Sequence, residues 1–398
     1  MAEQKTGLII GASKDAIHTI QMAGKYGIEV VAIDGNPEAE GFSYADEHIV
    51  VDISDRDKVY AAVEKIRPDF VLPVPIGRYL IMTGYINNTF HLPGIQYEQT
   101  ELSVDKYLFH QKLNDNGLRN IKECLINRQS DITSIDMIYP AILKPRFGSG
   151  SRDIFYLENK QEFEKIYNEV KTNDEDFVLE QAVNGIEYGI DGAVIDGKLY
   201  IILIRKKINT QLPERQAISY LTVPLTGKTE HLTQVVYENI KCVTDVLEYN
   251  NCLLHADIIV KNERVFVIEI SPRPSGHNLH NLFVPLATGI DIAEEYIKFL
   301  LGLKFSFKPQ YTKCLQIRFF DFQNVIVKEI PGEDMLKKNK QCNLIYWQCN
   351  IRQNEKMSLV TNGKSIMGRG LFVIEGEDED DLIRQSSWIL SQFKLEEE

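Results

Sequence analysis

Two acidic residues stand where acids are costly. Asp257 lies within the apolar run LLHADIIV, and Glu269 lies within VFVIEI, the start of VFVIEISPRPSGHNLHNL. A carboxylate removed from water needs a cation, a metal or several donors beside it. The bland explanation is an ion pair between Glu269 and Arg273, which follows in the same stretch with Ser271, His277 and His280. The chemical explanation is a shared divalent cation. Acids on adjacent strands repel each other unless something positive separates them. Hard oxygen donors of this kind suit Mg2+, which takes one or two carboxylates together with substrate phosphates.

Strand geometry sets a condition on that idea. The intervening KNER reads as a hairpin turn. A plain two-residue turn at Asn262-Glu263 pairs Val260 with Val265 and Asp257 with Ile268. Side chains alternate faces along a strand, so this register throws Glu269 onto the face opposite Asp257. A shared ion therefore requires an odd-length connection at Lys261 to Arg264, or a β-bulge in one strand.

If the partner of that ion carries phosphates, cations must lie elsewhere in the chain. Lys144 ends an apolar strand in YPAILKPRFGSGSRDI and is followed by Gly148-Ser149-Gly150-Ser151. A glycine-rich loop exposes backbone N–H groups, and a neighbouring lysine adds charge, so together they can cradle phosphates. Alone, GSGS reads equally as a flexible turn, and it is not a Walker A sequence. SVDKYLFHQKLNDNGL, Ser103 to Leu118, reads as a helix with a serine cap and Lys106 in its first turn. The helix dipole disfavours a cation there, unless the lysine faces an anion. FVLEQAVNGIEYGIDGAV reads as a strand ending near Glu180, a short turn with Glu187, and a second strand carrying Asp191. Acids beside a turn are ordinarily polar strand ends and acquire meaning only in company.

The elements that must position these groups begin with a strand–helix alternation. GLIIGAS, KDAIHTIQMAGKYG, IEVVAID, DRDKVYAAVEKIR and PDFVLPVP predict a parallel sheet with helices on its faces. A glycine turn after the first strand and Asp34 ending the second suggest a dinucleotide site. The loop Gly11-Ala12-Ser13-Lys14-Asp15-Ala16 lacks the later glycines of that pattern, which speaks against a nicotinamide oxidoreductase. Arg78, in PVPIGRYL, falls at the carboxyl edge of the sheet, either solvated or anchoring a substrate carboxylate or phosphate. The last hundred residues mix short strands with a final helix. There NGKSIMGRG reads as a hairpin turn or as a basic loop closing over substrate.

Bulk properties bound the rest. With 398 residues, the chain exceeds one ordinary core and predicts two or three domains. Hydrophobic residues make up 44% and charged residues 25%, as in globular proteins. A net charge of -13 argues against a nucleic-acid or anionic-membrane partner. No apolar stretch is long enough to span a bilayer, and the N-terminus reads as lacking a signal peptide. The six cysteines form no CxxC pair, which predicts reduced thiols and a cytoplasmic location.

Taken in order, these pieces resemble the ATP-grasp superfamily of carboxylate–amine ligases: a parallel-sheet domain, Lys106, Lys144 with its glycine loop, LEQAV…E, then HADII…VIEISPRP. EISPRPSGH is similar to the purine-pathway members, and the overall layout resembles the L-amino-acid (dipeptide) ligases. Many members carry Asn two residues after the metal-binding Glu, where this chain has Ser271. The resemblance implies an α/β (α+β overall) architecture. A Rossmann-like domain would span residues 1–103, a small lid subdomain 104–184, and a large subdomain with a C-terminal α+β region 185–398. It implies ATP with Mg2+, or Mn2+ in its place. Lys106 and Lys144 would contact phosphates, and Gly148 to Ser151 would form a lid, mobile without nucleotide and ordered with it. Glu180 and the backbone of Gln181, Ala182 and Val183 would hold adenine, and Glu187 the ribose. Asp257 and Glu269 would hold metal, and Arg273, with Lys144, would act on the transferring phosphoryl group. Arg78, Ser271 and His277 are substrate-site candidates. The implied reaction joins a small-molecule carboxylate to an amine through an acyl phosphate, and a homodimer is compatible with it. The alternatives are a purine-biosynthesis ligase acting on a ribonucleotide and a nucleotide-binding regulator without catalysis.

Overall fold

The computed structural model describes residues 4–148, 153–171, 175–210, 216–360 and 366–397. The chain begins with a parallel sheet in the spatial order Glu47–Val50, Glu29–Asp34, Thr6–Ile10, Phe70–Val71. Glu47–Val50 is a strand the sequence pattern did not reveal, because three of its four residues are charged or exposed. The expected strand at PDFVLPVP is cut to Phe70–Val71. Pro73 and Pro75 lack the N–H groups that would continue the ladder, although Leu72 and Val74 stay buried. Asp34 closes the first turn: its carboxylate accepts from the Ala12 N–H at 2.7 Å and the Asn36 N–H at 2.8 Å. The residue that suggested a dinucleotide site is therefore occupied by its own loop.

A second, antiparallel sheet of four strands runs Glu123–Ile126, Phe177–Gln181, Ala141–Pro145, Phe155–Leu157. The helix before it spans Lys106–Asp115, shorter than the predicted Ser103 to Leu118. Ser103 is not its cap. It ends the preceding helix, Tyr97–Val104, where its hydroxyl bonds the Thr100 carbonyl. The cap is Asp105, whose carboxylate accepts from the Tyr107 and Leu108 N–H groups at 3.0 and 3.1 Å. A carboxylate is preferred there because it also suits the positive helix end. The same carboxylate receives Arg146 at 2.6 Å, tying the helix start to the end of the Lys144 strand.

The third sheet has eight antiparallel strands. Its first four, in spatial order, are Arg264–Ser271 at the edge, Cys252–Lys261, Ile186–Ile195 and Lys198–Asn209. Alternation divides these strands, apart from register shifts near Ile202 and beside Asp257. Tyr188, Ile190, Ile204, Leu254, Ala256 and Ile258 point to one face, where Val236, Ile240 and Val243 of the Glu230–Val246 helix bury them. Each such leucine, isoleucine or valine contributes about 1.5–3 kcal/mol. The other face carries Glu187, Asp191, Arg205, His255 and Asp257 toward one end. Further along it turns apolar at Ala193, Leu203 and Leu253, which pack beneath Val284, Ala287 and Ile292. A small sheet of Glu355–Met357, Val325–Glu329 and Lys394–Glu397 completes the C-terminal region. Among the described residues no helix is long and apolar enough to cross a membrane.

Candidate active site

The hairpin meets the condition that its sequence sets. Asn262 and Glu263 form a two-residue turn, with φ of 48° and 62°. Such left-handed pairs match strand twist. Val260 pairs with Val265 and Ile258 with Val267, as a regular ladder demands. The register then shifts between Asp257 and Ile258, and Asp257 pairs with Glu269 and His255 with Ser271. Ile268 is the extra residue of a bulge. Had Ile268 paired with Asp257 in a regular ladder, Glu269 would face the apolar layer.

Glu269 is not buried as the apolar run suggested. Its side chain is 37% exposed, and its contact with Arg273 is at 4.0 Å. It opens into a cleft lined also by Ser271, Arg273, Gly148, Ser103 and, from the first domain, Ile76, Gly77 and Arg78. Arg78 thus reaches the same cleft as the metal-candidate Glu269. It is exposed and lies over the Tyr79 ring at 5.3 Å. Of the lid candidates, Ser149, Gly150 and Ser151 lie outside the described residues, as do Asn362 to Ser365 of NGKSIMGRG.

Asp257 is held by Lys207, two strands away across Ile186–Ile195, at 2.9 Å, and Lys207 lies 4.0 Å from Glu187 on the strand between. Burial raises the Asp257 carboxyl, but Lys207 and then His255 outweigh it and hold it well below the carboxylate range. Glu187 also accepts from the Asn209 amide at 2.9 Å. Deeper still, Arg205 and Asp191 form a wholly buried pair at 2.6 Å, with Ser275 donating to Asp191. Gly189 makes room for it: a Cβ there would lie 2.2 Å from Arg205 Nη1. His255 lies 3.3 Å from Arg205 Nη2. Burial first, then His255 and the cations Arg273 and Lys207 nearby, bring His277 down to about 4.

On the opposite wall Lys144, 4% exposed, bonds Glu180 at 2.7 Å. Burial works against Glu180's charge, yet Lys144 and Arg119 outweigh it and keep it ionised below its ordinary range. Lys106 donates to the Gly148 carbonyl at 3.0 Å, so it fastens the start of the glycine loop. Burial lowers the Lys106 pKa, partly offset by Glu269. The Gln181 and Ala182 N–H groups are committed to the Lys122 and Pro140 carbonyls at 2.9 and 2.8 Å. Sequence reasoning missed Lys207, Arg205, His255 and Arg119. His255 lies in a run that was read for its acid, Arg205 and Lys207 lie in the strand Lys198–Asn209, which carries no acid to draw the eye, and no spacing signal marks Arg119.

Residues 137–280 match the model of the ATP-grasp domain. The fold is similar along 100% of both chains to L-amino acid ligase from Bacillus licheniformis, at 17% identity and a TM-score of 0.81. It is similar over the same extent to phosphoribosylglycinamide synthetase from Anaerococcus prevotii, at 18% identity and a TM-score of 0.75. A carbamoyl phosphate synthase large chain from Thermotoga neapolitana is 23% identical over 316 residues, which take in 72% of this chain and 26% of that protein. The chain thus corresponds to about a quarter of that relative's length. It carries an ATP-grasp domain within an ATP-grasp fold.

Proposed function

We propose that the chain is an ATP-dependent ligase that joins a carboxylate to an amine through an acyl phosphate, releasing ADP and phosphate. The observation that carries this reading is the hairpin register. Asp257 stands opposite Glu269 on one face of the ATP-grasp domain, across a cleft from Lys106 and Lys144. Two carboxylates presented together fit a hard divalent cation, Mg2+ or Mn2+. When bound, it would neutralise nucleotide phosphates.

The chain's own groups supply the remainder. Lys144 and Lys106 bind phosphate oxygens, and Glu180 keeps Lys144 aimed. Glu187 receives ribose hydroxyls, and the Val183 amide joins Glu180 at the adenine edge. Gly148 to Ser151 cover the phosphates. Arg273 stabilises charge on the transferring phosphoryl group, as phosphoryl transfer needs positioning and neutralisation more than covalent chemistry. Arg78, Ser271 and His277 bound the acceptor side. In this reading the units are 1–103, 104–184 and 185–398, and the location is cytoplasmic, in keeping with the free cysteines.

The likeness to an amino-acid ligase favours amino-acid substrates. The EISPRP stretch and the likeness to phosphoribosylglycinamide synthetase favour a purine ribonucleotide as the second reading. The test is ADP release from MgATP, screened against pairs of amino acids and against purine ribonucleotide intermediates. Release that depends on an added amino acid supports the first reading. Release that depends only on a ribonucleotide replaces it with the second. Nucleotide binding with no release in any combination leaves a non-catalytic regulator. Size measurement by light scattering tests whether the working unit is a homodimer.

A further inference from the structure

Between the nucleotide wall and the metal hairpin lies a buried arginine that touches both. Arg119, 6% exposed, follows the Lys106–Asp115 helix. Its Nη2 donates to Glu180 Oε2, the carboxylate that holds Lys144 at 2.7 Å. Its Nη1 donates to the Val267 carbonyl at 2.9 Å. Val267 is the last regularly paired residue before the bulge, on an edge strand whose outward carbonyls have no sheet partner. His110, fully buried, presses against the backbone of Ile268, the bulged residue itself, and lies 2.6 Å from Glu123. Glu123 in turn lies 3.5 Å from Arg119 Nε. One guanidinium therefore spans the carboxylate that aims the phosphate lysine and the carbonyl at which the ladder changes register.

We infer that Arg119 is a positioning residue that couples nucleotide binding to metal binding by holding the Ile268 bulge, and with it Glu269, in line with Asp257. The inference rests on the ligase reading above. A bulge is free to migrate along a strand unless something fixes it, and a one-residue migration would remove Glu269 from its face. Arg119 fixes it with a bond that forms only when the guanidinium lies where Glu180 and Lys144 also place it. Filling the Lys144 site with phosphate oxygens tightens that placement, and the coupling is reciprocal, as any equilibrium linkage must be. His110, Glu123 and Glu180 approach one another closely enough to ligate a cation. The guanidinium of Arg119 and the ammonium of Lys144 already supply the positive charge there, which favours the coupling role over a second metal site.

The test is calorimetric titration of ADP with Mg2+ and with EDTA, on the full chain and on Arg119→Lys and Arg119→Met. The lysine side chain reaches one of the two partners, not both. The expected result is a gain in ADP affinity from Mg2+ that shrinks about tenfold in both variants, the usual scale for a lost outer-sphere partner. An undiminished Mg2+ gain in a folded variant overturns the inference and leaves the ligase reading intact. Failure of the unmodified chain to bind ADP removes both. Hydrogen exchange on the unmodified chain keeps the question open to refutation if neither variant folds. ADP in EDTA should slow exchange at the amides of Val267 to Ile270, and unchanged exchange there overturns the inference.

Discussion

At the scale of single residues, the site separates groups that face solvent from groups locked beneath them, and substitutions should follow that division. Glu269 is 37% exposed, and its contact with the largely buried Arg273 is long, at 4.0 Å, and within reach of a glutamine amide as well. Glu269→Gln should therefore fold with an unchanged melting temperature and lose Mg2+-dependent ADP release altogether; residual release at the parent rate would remove it from the metal site. Lys144→Ala should weaken ADP binding by about 1–3 kcal/mol, the range for a lost charge-assisted contact, as read by calorimetry. His277 provides a pH signature. The unfolded chain takes up a proton there near 6.5, but the folded protein resists until about 4, because burial and neighbouring cations oppose the charge. The unfolded state thus binds more protons across that window, so the protein loses stability as pH falls through it. His277→Gln should lack that share of the acid loss in urea titrations at stepped pH. Equal pH slopes for the two proteins would count against it.

At the scale of elements, legibility depended on how local the cause was. The Asn262-Glu263 turn could be placed from KNER, and the need for a bulge followed from parity alone. The lysine strand, the Glu180 strand and the strand that follows with Glu187 near its start were equally readable, since each is an apolar run with a polar end. Where the bulge would fall was not readable, because its anchor, Arg119, lies far away in the chain at a position with no periodicity. The misplaced cap has a different cause. Ser103 and Asp105 are both good caps two residues apart, and Arg146, distant in sequence, decides in favour of the aspartate. Glu269 seemed buried since its neighbours are apolar, but edge strands leave one side open. The turn itself is improvable. Glu263 holds φ of 62°, which glycine tolerates without strain, and its contact with His231 is exposed. Glu263→Gly should raise stability by about 0.5–1 kcal/mol in urea denaturation and leave ADP binding unaltered; a loss of stability would mean that the turn is held by its side chain.

At the scale of the whole molecule, the first domain is fastened to the large sheet's helices by one short helix. Asp291 caps the Ile292–Leu300 helix, accepting from the Ala293 and Glu294 N–H groups, and also meets His18 at 2.7 Å. Lys25 and Tyr26 both reach Glu294 one turn on. Asp291→Ala should cost about 0.5–2 kcal/mol through the cap, while Asp291→Asn should keep most of it. A cost equal in both variants would assign the effect to His18 instead.

The Ile268 bulge also means that the hairpin carries one residue of slack. Deleting Ile268 would leave an unbroken ladder with Glu269 still opposite Asp257, whereas inserting a residue beside it would turn Glu269 toward the apolar layer. Chain length in this stretch is thus constrained in one direction only: shortening by one is compatible with the metal face, and lengthening by one is not. Because the deletion also removes the bulge beside the Val267 carbonyl that Arg119 holds, it separates pointing from holding. Mg2+ should still bind the shortened hairpin, but ADP should strengthen that binding less than it does in the parent chain.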